Sequence, residues 1–182
     1  MDEEDKIRKN PVPRLAGRYL KWTAYGLLIL LFSILQSTPR LLPTPWGASL
    51  LLMIPLTVCI SMFAGPVGGA AAGVAAGLLW DLYADRLLGF SALLLLFIGC
   101  ACGLLVRLLI RNNLLSALLL TSGALVLQGL ADWFFNYLLL GLEDPLFVLV
   151  RLTLPDLGYT LVISPLVYGL VYLIAGLLRR RE

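Results

Sequence analysis

The chain has 182 residues, of which 60% are hydrophobic and only 14% charged, with a mean hydropathy of +0.92. A soluble domain is about 25% charged, so this composition belongs to a membrane protein and excludes a separate soluble domain at this length. Histidine is absent, which removes the commonest general base and the commonest metal ligand and points away from an enzyme or a metal or organic cofactor. The net charge of +3 comes from basic residues at the two ends and gives no nucleic-acid-binding surface.

Residues 1–19 read as a basic cytoplasmic tail. Asp2, Glu3, Glu4 and Asp5 precede Lys6, Arg8, Lys9, Arg14, Arg18 and Lys21, while Pro11 and Pro13 are expected to break any long helix. Such a tail orients the chain, and it also suits a contact with anionic lipid or a cytoplasmic partner. Residues 20–178 read as one membrane domain, followed by a second basic end at 179–182. Six apolar segments are expected, at 20–36, 47–63, 65–81, 90–109, 114–140 and 155–178. Pro39, Pro43 and Pro45 keep the first connection from being helical throughout. Trp46 opens the next span, where an interfacial aromatic belongs. The second and third segments meet so tightly around Ala64 and Pro66 that a helical hairpin is predicted.

The most ordered pattern lies at 65–81. Gly65, Gly69, Gly73 and Gly77 recur every four residues, with Asp81 on the next step. On a helix these glycines share one side, while Val67, Val74 and Leu78 gather on the other. In water each glycine destabilises a helix by about 1 kcal/mol relative to alanine. In lipid the bare face lets another backbone approach closely. The cysteines Cys59, Cys100 and Cys102 lie in apolar runs and fit as small packing residues.

The fifth segment carries Gln128, Asp132 and Asn136, again four apart, a polar stripe that must face the bundle interior or a wet cavity. Asp156, Arg86 and Arg151 fall at the same outer side as Asp81 and Asp132. Interhelical hydrogen bonds, a small-solute site open to the outside and a proton path all suit such groups. An Asp81–Asp132 acid dyad lacks the glycine-flanked context of an intramembrane protease. The connection over 141–154 holds Glu143, Asp144 and Pro145 before an apolar run too short to span. Counting Lys and Arg with the N-terminus inside places eleven on inner segments and three (Arg40, Arg86 and Arg151) outside, which makes both ends cytoplasmic.

In layout, and in Gly65-Pro66 followed by Gly69, Gly73, Gly77-Leu78, Asp81, Gly89 and the Gly99–Gly103 region, the chain resembles the rod shape-determining protein MreD family. The final segment, from Pro155 through Pro165-Leu166-Val167-Tyr168 to the basic end, is a second match. The chain departs from the family pattern at Trp46-Gly47-Ala48-Ser49, where a proline and an acidic or amide residue are usual. The resemblance implies an all-α, polytopic six-transmembrane-helix bundle like the S components of energy-coupling-factor transporters. It implies a non-enzymatic scaffold of the bacterial cell-elongation complex in the cytoplasmic membrane. MreC, MreB, a SEDS glycosyltransferase and a class B penicillin-binding protein would be its partners. The S component of a vitamin transporter is the rival reading. Its usual alanine-xxx-alanine docking surface is missing from the first span, WTAYGLLILLFSILQ.

Overall fold

A computed structural model describes residues 12–38, 51–83, 89–109, 113–135 and 154–179, and the following concerns these. They form five helices: α1 Val12–Ser37, α2 Met53–Tyr83, α3 Phe90–Leu108, α4 Leu114–Trp133 and α5 Leu154–Arg179. Four stretches, Met53–Tyr83, Phe90–Leu108, Leu114–Trp133 and Pro155–Leu177, are long and apolar enough to cross a membrane.

α1 starts earlier than expected. The helix runs through Pro13, because a proline in the first turn gives up an N–H that has no intrahelical partner there. The boundaries of α3 and α5 agree with the periodic apolar segments to within about two residues. α4 runs to Trp133 and passes into a wider turn over 134–135, and the rest of that expected segment, 136–140, lies outside the described residues. The connection over 141–153, together with Arg40, Trp46, Arg86, Asn136 and Arg151, lies outside the described residues.

The expected hairpin at Ala64–Pro66 is present, inside what is otherwise one helical run. Gly65 has φ 78° and ψ −177°, a backbone region open essentially to glycine alone. Pro66 then restarts the helix with no N–H to leave unpaired. The two limbs, 53–64 and 66–83, fold back on each other. A Cβ on Gly69 would run into both Cβ and Cα of Ser61, eight residues earlier, an approach that a straight helix cannot make.

The first limb is the centre of the molecule. All eleven residues over 52–62 are buried, so this segment has no lipid-facing side. Its sequence is apolar all round, as such a position requires. The two hydroxyls within it bond back to the helix: Thr57 donates to the Met53 carbonyl at 2.8 Å and Ser61 to the Val58 carbonyl at 2.7 Å. Around it pack Tyr25, Leu28, Ile29 and Phe32 of α1, Leu95, Ile98 and Cys102 of α3, Ala124 and Leu125 of α4, and Val167, Tyr168 and Val171 of α5.

Candidate functional site

The glycine ladder is occupied by the protein's own α3. A Cβ on Gly69 would stand 2.6 Å from the Gly99 carbonyl oxygen, on Gly73 2.6 Å from the Leu95 carbonyl carbon, and on Gly77 2.5 Å from the Ala92 nitrogen. The match is reciprocal, since a Cβ on Gly99 would meet the Gly69 carbonyl and one on Gly103 would stand 2.6 Å from the Pro66 Cα. The pairs Pro66–Gly103, Gly69–Gly99, Gly73–Leu95 and Gly77–Ala92 run in opposite chain order, so two antiparallel helices touch backbone to backbone. Side chains would hold them apart. On the opposite face Val67 and Leu78 are exposed and Val74 is half-buried, as the spacing predicts.

Asp81, at the end of the ladder, closes the unit. Its carboxylate is 2% exposed and accepts from the Gly89 N–H at 2.8 Å and from the Ser91 N–H at 3.2 and 3.3 Å. These are among the orphan donors at the start of α3, so Asp81 caps a helix it does not belong to. Gly89, at φ 98°, takes the left-handed turn that aims its N–H at the carboxylate. The Asp81 carboxylate is thereby committed to backbone donors.

The polar stripe on α4 is only partly realised. Gln128 is fully buried, yet neither its amide nitrogen nor its oxygen finds a partner among the described residues. Thr121, two turns earlier on the same face, is also buried with an unpartnered hydroxyl. Gly129 is buried, Asp132 is half-buried, and Ser122 turns its hydroxyl back to the Leu119 carbonyl. Each unsatisfied buried group destabilises by about 1–3 kcal/mol. Phe135 contacts Phe90 with ring centroids 5.1 Å apart, so the end of α4 carrying Asp132 lies near the Asp81-capped start of α3.

Asp156 serves through its backbone. Its carbonyl accepts the Thr160 hydroxyl at 2.7 Å, and the Thr160 oxygen accepts the Leu51 N–H at 3.2 Å. The Gln36 side-chain oxygen accepts the Met53 N–H at 3.2 Å. α1 and α5 together thus cap the start of the buried limb. Sequence reasoning passed over Gln36, Thr160 and Thr121. Each is a polar residue within an apolar run, the signal that drew attention to Gln128.

Aromatic residues gather at both ends of the bundle. Phe63 packs with Tyr168 and Tyr172 at centroid distances of 6.0 and 6.1 Å, at the end where Trp22 lies over Gly68. Phe90, Phe134 and Phe135 form the other group. With four helices long and apolar enough to cross a membrane, the described residues are consistent with the class of helical membrane proteins. No protein-family model, curated protein or solved structure matches the chain.

Proposed function

We propose that the chain is a non-enzymatic scaffold subunit of the bacterial cell-elongation complex, seated in the cytoplasmic membrane with both ends cytoplasmic. The corner at Gly65 divides α2 into two limbs, and with the other four helices these make six helical segments, a number that supports reading the chain as an MreD-like six-span bundle. One observation carries the reading. The residues behind the resemblance, Gly65-Pro66, the ladder to Asp81, Gly89 and Gly99–Gly103, form one continuous unit: a corner, a backbone-to-backbone contact and a cap. Because α3 fills the glycine face, a partner span such as that of MreC docks elsewhere. The outward face of α1, with Leu27, Leu30, Leu31 and Ile34, has the length and apolarity to receive one. MreB, the SEDS glycosyltransferase and the class B penicillin-binding protein complete the proposed assembly. Depletion in a rod-shaped host tests this: cells are expected to round, and MreC to co-purify with the tagged protein. Rod-shaped depleted cells with no MreC recovered refute it.

The unpartnered Gln128 amide favours a second reading, a solute-binding S component, because a polar group kept unsatisfied in an apolar core is typical of a ligand site. Under that reading depletion leaves shape unchanged and abolishes uptake of a vitamin-like nutrient.

A further inference from the structure

Several polar side chains in these apolar helices bond back to their own backbone. Thr57 and Ser61 on α2, Ser122 on α4 and Ser164 on α5 each donate to a carbonyl three or four residues earlier. Thr121 has the same option and does not take it. Its hydroxyl is buried with no partner among the described residues, and Gln128 is 0% exposed with both amide atoms unpartnered among them. Buried serine hydroxyls of this kind occur singly, at Ser33 on α1 and Ser91 on α3. On α4 two such groups share a face.

Thr121 and Gln128 are seven residues apart, which sets them within about 20° of each other around the helix and about 10 Å apart along it. A helical side chain leans toward the N-terminus of its helix, so the Gln128 amide belongs on the Thr121 side of its own Cα. Ala124, which shares the buried face between them, contributes only a methyl group.

The surroundings fix the charge of what these groups can hold. α4 packs chiefly against α5 and α2. Neither residues 160–174 of α5 nor 52–64 of α2 include an Asp, Glu, Lys or Arg. Asp132, one turn beyond Gln128, is half-buried and already engaged. A charged ligand would be buried here without a counter-ion, which desolvation strongly disfavours. The unmet groups are themselves balanced: the carboxamide offers two donors and an acceptor, and the hydroxyl one donor and an acceptor. A carboxamide sets an N–H beside a C=O. The neutral group that answers both at once is a cis-amide, with its own N–H beside its own C=O.

We propose that Gln128 and Thr121 form a binding site for a neutral solute carrying a cis-amide, such as a lactam or pyrimidine ring, with Gln128 pairing with the amide edge and Thr121 with a further polar atom. The proposal rests on the solute-binding reading of Gln128 and names the chemistry of the solute.

Thermal unfolding of the full chain purified in a neutral detergent tests it, with uracil, 1,3-dimethyluracil or orotate added. Uracil presents the cis-amide edge, its dimethyl derivative has the same ring without donors, and orotate adds a negative charge. Uracil at about ten times its dissociation constant is expected to raise the midpoint by roughly 3–6 °C, with little response to the other two. Gln128→Leu should abolish the shift, and Thr121→Val should reduce it by at least half. No response to uracil, an equal response to 1,3-dimethyluracil or orotate, or a full shift in Gln128→Leu each overturns the proposal. Loss of nutrient uptake on depletion without a response to uracil would keep the solute-binding reading and overturn the class of solute. A Gln128-dependent response to uracil with uptake unchanged would keep the site and remove its role in uptake.

Discussion

The α2–α3 side and the α4–α5 side of the bundle use the same residue types to opposite ends. On the first, Gly69, Gly73, Gly77, Gly99 and Gly103 all meet foreign backbone where a Cβ would stand. On the second, Gly123, Gly158, Gly169 and Gly176 have no neighbour within 4 Å among the described residues where a Cβ would stand. Two buried polar side chains show the contrast: the Asp81 carboxylate accepts from two backbone donors, whereas the Gln128 amide has no partner among the described residues. Glycine content alone therefore does not mark a contact. A four-residue repeat that a neighbouring helix answers in register does, and a bundle can have one finely fitted side and one open side.

The largest test of this contrast is Gly73→Leu. The added side chain would start on the Leu95 carbonyl, which cannot move without displacing α3. Overpacking by a single methylene already destabilises by about 1–3 kcal/mol, so the whole isobutyl group is expected to prevent folding or reduce the monodisperse yield in detergent several-fold. A normal yield and melting temperature would mean that α2 and α3 do not pack this way.

Asp81→Ala comes next. It strands the Gly89 and Ser91 N–H groups at the start of α3, and loss of charged hydrogen bonds to buried donors is expected to destabilise by about 2–4 kcal/mol. Asp81→Asn should recover part of that, because the amide oxygen still accepts. Equal melting temperatures for wild type and the alanine variant would remove the cap from the account.

How much of this was legible in the residues depends on whether the signal was local. The ladder, the corner at Gly65-Pro66 and the inward placement of Gln128 follow from spacing on one helix, and they stand in the structure. What answers the ladder is set by which helix lies opposite, and spacing within 65–81 holds no information about Leu95 or Ala92. The role of Asp81 was hidden for the same reason, since the N–H donors it accepts from lie at the start of the next helix. The central position of the first limb was missed because an apolar run looks alike whether protein or lipid surrounds it. The early start of α1 was missed because a proline reads as a breaker until its place in the first turn is known.

Gln128→Leu probes the open side and should reverse the sign. Replacing a buried amide that has no partner with an apolar group of similar size removes a desolvation penalty, and a gain of about 1–3 kcal/mol is expected in detergent. A loss of stability would show that the amide is bonded, for instance through an ordered water. A gain in stability together with lost uptake of a nutrient would favour the solute-binding reading over the scaffold.

Gly169→Ala should have the smallest effect and draws the contrast most sharply, because the same chemical change on the α2 ladder is expected to be harmful. Among the described residues no neighbour outside the local helix backbone lies within 4 Å of the added methyl group, and Gly169 sits well inside α5. The substitution removes backbone freedom from the unfolded chain and raises helix propensity, which together stabilise by about 0.5–1 kcal/mol. That corresponds to a rise of roughly 1–4 °C in the melting midpoint. Gly73→Ala, measured alongside, should lower it. If both alanine variants fell equally, the α5 glycines would be covered by a closely packed neighbour in the purified protein. The division into a fitted side and an open side would then fail.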